Sequence, residues 1–173
     1  MISLAHVHLL LNHLPVILTP LGLVLLAIAA RRRDDSLSRV AFAVLIAAAV
    51  TAVPTYFTGE EAEHAIKGMA GVTKAVIGRH EDMGRYSAIF LGALGLFLIW
   101  ALWRHRPPVA LPSWVVRSTL AASLVGSVIL GYTSLLGGEV RHTEIRPGFV
   151  ADPNAQWERG PSEPPPSPRG TDP

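Results

Sequence analysis

The sequence contains no cysteine. This absence excludes disulfide bonds, thiolate metal sites, cysteine-ligated iron–sulfur clusters and covalently attached c-type haem. Charge is also scarce, since charged residues make up 16% of the 173 residues while 50% are hydrophobic. The formal net charge of +2 is small and the cationic residues are scattered, which argues against a nucleic-acid-binding protein. The composition is typical of an integral membrane protein.

Long stretches without a formal charge predict the membrane spans. Residues 9–30 contain no Asp, Glu, Lys or Arg, and Asn12, His13 and Thr19 are their polar exceptions. At about 1.5 Å per residue, a helix of this length crosses a hydrocarbon core roughly 30 Å thick. Three further apolar runs predict an all-α membrane protein, an antiparallel bundle of four transmembrane helices. The predicted spans are residues 9–30, 40–57, 86–103 and 115–136.

The chain divides into a transmembrane domain, residues 1–146, and a polar tail, residues 147–173. The tail contains a proline-rich stretch that cannot build a hydrophobic core, so we expect it to be extended or disordered. Within the domain, the long middle loop, residues 58–85, is expected to hold two short helical pieces at 60–67 and 72–84. Pro54 lies inside the second span and predicts a kink there.

The distribution of basic residues predicts the orientation. Loops 31–39 and 104–112 are short and rich in arginine, which places them in the cytoplasm by the positive-inside rule. Trp100, Trp103 and Trp114 then mark the cytoplasmic interface. The first span lacks the basic flank and the small-residue cleavage site of a removable signal peptide. We therefore expect a multi-pass protein of a bacterial inner membrane with both termini in the periplasm.

Six of the seven histidines fall at the predicted outer end of the bundle, and His105 falls at the other end. Acidic residues accompany them, because Glu-x-x-His occurs twice and His80 is followed by Glu81. Ionisable residues at membrane depth are costly, so a functional site is the default interpretation. The histidines at this end are His6, His8, His13, His64, His80 and His142.

Haem b is the first cofactor hypothesis, because bis-histidine ligation needs only two imidazoles from facing helices. The predicted cofactor-binding residues are His13, His80, His142 and His8. Two stripes of small residues at helical spacing end at His80 and His142. They leave room for a flat macrocycle, although such stripes usually serve close helix packing in lipid. The stripes comprise Gly84, Ala88, Gly92 and Gly95 in one helix and Ser127, Gly131 and Gly138 in the other.

Two alternatives stand beside haem b. A transition-metal ion is the first, since Glu-x-x-His pairs from two helices of a bundle bind metals. Its predicted ligands are Glu139, His142, His80, Glu81 and His13. A structural layer without a cofactor is the second, in which the polar groups hydrogen-bond to helix ends. A hydrolase is not expected, because the sequence lacks the His-Glu-x-x-His signature, and we do not expect catalysis by this chain alone.

Several motifs together resemble a known family. They are His6-Val-His-Leu-Leu-Leu-Asn-His-Leu-Pro15, Thr55-Tyr-Phe-Thr-Gly59, His80-Glu-Asp82 and Gly137-Gly-Glu-Val-Arg-His-Thr-Glu-Ile145. Between residues 4 and 145 the chain is similar to an uncharacterised family of bacterial four-helix inner-membrane proteins. A broader related group carries a similar opening and is sometimes fused to Rieske domains.

The resemblance implies a place in electron transfer and assigns no role to any residue. Together with the histidine layer, it leads us to expect a haem- or metal-binding membrane subunit with other membrane or periplasmic redox proteins as partners. The alternative expectation is a structural or assembly subunit of a larger membrane complex without a cofactor.

Overall fold

The computed structural model describes residues 3–69 and 71–150. These residues form five α-helices followed by one 3-10 turn, with no β-strand among them, so the predicted all-α fold is confirmed. The elements are α1 Leu4–Leu11, α2 His13–Arg32, α3 Asp35–Ile66, α4 Lys74–Arg104, α5 Ser113–Arg141 and the turn Thr143–Ile145.

Four helical segments are long and apolar enough to cross a membrane. The first of them comprises α1 and α2, which meet at Asn12, and the other three are α3, α4 and α5. All four extend beyond the apolar runs that predict them. Good helix-forming residues flank these runs, and a helix continues into water wherever its sequence permits.

The middle loop is much shorter than residues 58–85. The helical pieces predicted at 60–67 and 72–84 are the outer turns of α3 and α4. Residues 60–66 contain no proline or glycine, so nothing local ends the helix. The break comes where Gly68 (φ 87°) and Gly71 (φ 76°) adopt positive φ angles that favour glycine.

Pro54 lies within α3, which remains one helix on both sides of it. A proline in a helix interior frees backbone groups, and threonine hydroxyls near it bond to helix carbonyls. Thr55 Oγ1 donates to the Thr51 carbonyl at 2.7 Å, and Thr58 Oγ1 donates to the Pro54 carbonyl at 2.9 Å. Both hydroxyls are therefore satisfied within the helix beside the proline.

The four spans pack in a closed ring. Helix α2 packs against α3, α3 against α4, α4 against α5, and α5 against α2, while α1 packs against α3. Large apolar side chains fill the centre and are almost completely buried. The largest of them are Leu26, Phe42, Leu45, Leu91 and Leu98.

Small residues bring the helices close together. A Cβ atom on Gly22 would lie 2.6 Å from Leu45 Cγ, and one on Gly95 would lie 2.6 Å from the Cβ of Ala49. Large apolar side chains such as Leu96, 71% exposed, face outward instead. Small residues at the helix contacts, together with large apolar residues on the outer surface, are typical of a bundle solvated by lipid.

The end of the bundle opposite the six histidines, here termed the basic end, contains both short loops. Arg39 ties them together, donating to Asp35 at 2.7 Å and to the carbonyls of His105 and Val109 at 2.7 and 2.8 Å. Asp35 also accepts from the backbone N–H of Leu111 at 2.7 Å. Most of the tail predicted to be disordered, residues 151–173, lies outside the described residues.

Candidate functional site

The polar residues gather at the end of the bundle formed by α1, the C-terminal turns of α3 and α5, and the N-terminal turns of α4. We term it the histidine end, and it contains every histidine except His105. Two of these imidazoles are half-buried, and each donates a hydrogen bond to a backbone carbonyl of a neighbouring helix. The other four are exposed.

His80 is half-buried between α4 and α5. Its Nδ1 lies 3.0 Å from the backbone carbonyl of Thr133. A carbonyl oxygen can only accept, so Nδ1 carries the proton and Nε2 keeps a free lone pair. The same threonine continues the polar contact between the helices, because its hydroxyl lies 2.9 Å from the hydroxyl of Ser87.

Gly137 of α5 provides the space for this ring. A Cβ atom at that position would lie 2.9 Å from His80 Cε1 and 3.3 Å from Nδ1. Real Cβ contacts are essentially never that short, so only glycine fits beneath the imidazole as it stands. The glycine therefore fixes how closely α5 approaches His80.

His8 is positioned in the same manner on the other side of the bundle. Its Nδ1 lies 2.9 Å from the backbone carbonyl of Thr55 in α3 and 3.4 Å from the Thr58 hydroxyl. Gly59 faces the ring, since a Cβ atom there would lie 3.5 Å from His8 Cε1. Nδ1 again carries the proton, and Nε2 is left with a lone pair.

His8 and His80 lie at the same end of the bundle. They come from α1 and α4, while Gly59 and Gly137 come from α3 and α5. Each of the four spans therefore contributes one residue to a layer that alternates histidine and glycine. We term the two imidazoles the histidine pair.

Asn12 adds an unused acceptor near this pair. It follows His8 by one helical turn on the same face, and its backbone N–H donates to the His8 carbonyl at 2.9 Å. Its side-chain Oδ1 is buried and has no hydrogen-bond donor among the described residues. A buried acceptor without a donor costs free energy, so it marks a place where a further polar group fits.

His13 and His142 lie outside the histidine pair. His13 is exposed, and its Nδ1 lies 2.9 Å from the carbonyl of Leu9, one turn earlier in the chain. His142 is exposed at the end of α5, where its Nδ1 lies 2.8 Å from Glu144 Oε1. A hydrogen bond from its own backbone N–H and that from His142 lower the pKa of the Glu144 carboxyl.

The predicted acidic ligands are also separate from each other. Glu139 is buried and pairs with Arg79 of α4, with Oε2 and Nη2 at 3.2 Å. Arg146 donates to the Glu139 backbone carbonyl at 2.8 Å, which folds the chain after α5 back onto the helix. Glu81 is exposed. Over residues 3–69 and 71–150, no three His, Asp or Glu side chains converge as a metal site would require.

The two small-residue stripes do not enclose a common space. Gly95 packs against Ala49 of α3, and Gly138 faces Ile145. A Cβ atom on Gly84, Gly92 or Gly131 would meet nothing within 4 Å. Two cavities in the described part of the chain, of about 350 and about 510 Å³, are lined by no histidine.

Sequence reasoning identified His8 and His80 as candidates and missed the groups that orient them. The acceptors are the backbone carbonyls of Thr55 and Thr133. Every residue has such a carbonyl, so the sequence gives no signal for them. Gly59 and Gly137 do have a sequence signal, because each lies inside a motif at the outer end of a span. Glycines at the level of buried histidines would have indicated where the rings pack.

A family model described as "Predicted membrane protein (DUF2231)" matches residues 5–144. The chain belongs to this family. The match covers all four spans and the histidine end, and it confirms both the membrane assignment and the resemblance to an uncharacterised membrane family. No curated protein and no solved structure gave a significant match to this DUF2231 chain.

Proposed function

We propose that this protein is a haem b-binding membrane subunit that takes part in electron transfer, in which His8 and His80 would hold the haem. The observation that carries the proposal is the histidine pair. Both rings donate Nδ1–H to a backbone carbonyl of a neighbouring helix and keep Nε2 free. Histidines that ligate a metal usually donate their other ring N–H to an acceptor that orients the imidazole in this way.

The number of donors favours haem over a single metal ion. A protein metal site generally uses three or four ligands, whereas haem iron takes four nitrogens from the porphyrin and two from the protein. Two free Nε2 atoms on different spans match the second requirement in number. Asn12 Oδ1, buried without a donor among the described residues, offers an acceptor beside the same site.

Bis-histidine ligation also defines the chemistry. Haem held by His8 and His80 would supply the transfer of single electrons. The backbone carbonyls of Thr55 and Thr133 would orient the two imidazoles. The partners are then other membrane or periplasmic redox proteins that meet the histidine end, which we assign to the periplasmic side of a bacterial inner membrane.

An absorption spectrum tests the proposal. Full-length protein is expressed with a haem precursor, purified in detergent and recorded oxidised and dithionite-reduced. We expect a Soret band, with α and β bands on reduction, because six-coordinate haem b shows them. His8→Ala and His80→Ala should each lose most of the bound haem. His13→Ala and His142→Ala serve as controls and should keep it, since both rings are exposed and bonded locally.

Two outcomes would contradict this assignment. Folded wild-type protein that stays colourless after reconstitution with haem would refute the proposed function. Equal loss of haem in the control variants would refute the choice of ligands. Elemental analysis of the same samples distinguishes a transition-metal ion, which should then depend on Glu139, His142, His80, Glu81 and His13.

A cofactor-free structural subunit is the second candidate. The favouring observation is that His8, His13, His80 and His142 already have hydrogen-bond partners within the chain. In that case the polar layer stabilises the packing of α1 on α3 and of α4 on α5. His8→Ala and His80→Ala would lower thermal stability without any change in colour.

A further inference from the structure

A cavity of about 510 Å³ lies at the basic end, far from the histidine pair. It opens between the C-terminal turn of α2, the N-terminal turns of α3 and α5, and the loop before α5. Its floor is apolar, with Ala29, Ala30 and Val116, and its rim has two guanidinium groups, those of Arg33 and Arg117. The cavity thus joins an apolar surface to a cationic one.

The carboxylates around this cavity are already used. Asp35 accepts from Arg39 on one oxygen and from the Leu111 N–H on the other, both at 2.7 Å. Asp34 caps α3 and accepts from the Leu37 N–H at 2.9 Å. Arg39 in turn donates its hydrogen bonds to Asp35 and to two loop carbonyls. These contacts hold the loops together, and around the cavity Arg33, Arg39 and Arg117 exceed the two aspartates by one charge.

Arg33 and Arg117 have no carboxylate partner among the described residues. The side-chain contact of Arg117 is a 3.3 Å hydrogen bond to the Ser113 hydroxyl. The basic end as a whole is also net positive, since it has seven arginines and two aspartates. They are Arg31, Arg32, Arg33, Arg39, Arg104, Arg106 and Arg117 with Asp34 and Asp35.

Arg33 also occupies a position that its backbone disfavours. It caps α2 in the left-handed region at φ 55°, where glycine is the usual residue. An arginine in this conformation has backbone strain that glycine would not have, and its guanidinium lies on the cavity rim. The two observations together indicate that the side chain serves a purpose other than ending the helix.

Aromatic side chains place the cavity at the level of the lipid headgroups. Trp114 follows the cavity residue Ser113, and its ring centroid lies 6.4 Å from that of Trp100. Tryptophan is enriched at this level of a bilayer because its ring is amphipathic. We propose that the cavity binds one anionic phospholipid of the surrounding leaflet. Arg33 and Arg117 contact its phosphate, and the apolar floor receives the first carbons of its acyl chains.

Native mass spectrometry of the full-length protein in detergent tests this proposal by titration with phosphatidylglycerol. We expect one tightly bound lipid per chain and weaker binding of phosphatidylcholine. Arg33→Gln and Arg117→Gln should each lower the affinity for phosphatidylglycerol about fivefold, as expected for the loss of one interfacial cation. Arg33→Gly should weaken it equally while remaining folded, because glycine suits the left-handed cap.

Matched controls separate a defined site from diffuse attraction. Arg32→Gln and Arg106→Gln remove the same charge from the same end without touching the cavity, and they should change binding less than about twofold. Equal weakening in these controls would overturn the proposal, as would equal affinity for phosphatidylcholine. Saturable binding of glycerol 1-phosphate with the affinity of the lipid would instead assign the cavity to a soluble phosphate compound and overturn the lipid assignment.

Discussion

The contact between His80 and Gly137 determines whether a larger side chain can replace this glycine. The imidazole lies on the glycine and donates to the carbonyl of Thr133 at 3.0 Å in the preceding turn of α5. A half-buried imidazole that loses this partner leaves its own N–H without a bond, while the Thr133 carbonyl keeps its helical donor. Unsatisfied groups of that kind cost about 1–3 kcal/mol each.

Gly137→Ala should destabilise the protein by about 1–3 kcal/mol, because the added methyl group forces the ring of His80 away from its acceptor. Thermal unfolding in detergent measures the change. Gly131→Ala is the matched control on the same helix, since a Cβ atom there meets nothing within 4 Å. It should be neutral or stabilise the helix by up to about 1 kcal/mol. Equal destabilisation by both substitutions would contradict the packing described for His80.

At the scale of elements, glycines determine how closely the helices approach. Gly95 of α4 faces the Cβ of Ala49 in α3, whereas Gly22 of α2 faces the branched end of Leu45. A Cβ atom cannot rotate away from the contact, but a leucine end can change rotamer. The α3–α4 contact therefore has less freedom to adjust than the α2–α3 contact.

Gly95→Ala should cost about 1–3 kcal/mol of stability, because α3 and α4 must move apart as rigid elements. Gly22→Ala should cost less, since Leu45 can repack. Gly92 lies on the same helix as Gly95, and a Cβ atom there would meet no atom within 4 Å. Gly92→Ala should therefore not destabilise the protein. Thermal unfolding of the three variants ranks them, and a Gly92→Ala loss as large as that of Gly95→Ala would contradict this account.

The whole molecule has a clear asymmetry of charge between its ends. The basic end contains an excess of arginine in two short loops, and the histidine end mixes acidic and basic residues. Arginines resist transfer across a membrane, and short loops determine orientation most strongly. The molecule as a whole is therefore expected to insert with the basic end in the cytoplasm.

Reporter fusions measure this orientation. Alkaline phosphatase fused after Ile145 should be active, because that enzyme folds only in the periplasm. The same reporter fused after Arg106, in the loop tied to Arg39, should be inactive, and it provides the matched control. The opposite pattern would invert the topology and place the histidine end in the cytoplasm.

The sequence by itself determined the number of spans, their order and the class of the fold. These depend on hydropathy along a single stretch of chain, which no distant residue can change. It also predicted that six histidines gather at one end, because four spans of similar length bring their alternate ends together. The short loop at Gly68 and Gly71 was visible as a break, although the length of the flanking helices was not.

Only the tertiary structure decided which histidines turn toward a neighbouring helix. The rotation of each helix about its axis depends on its neighbours, and it turned His8 and His80 inward while leaving His13 and His142 exposed. Their acceptors are main-chain carbonyls, which every residue possesses and which therefore have no sequence signature. The ligand assignment remains a prediction, and the packing of two glycines beneath two imidazoles is what directs the experiment to His8 and His80.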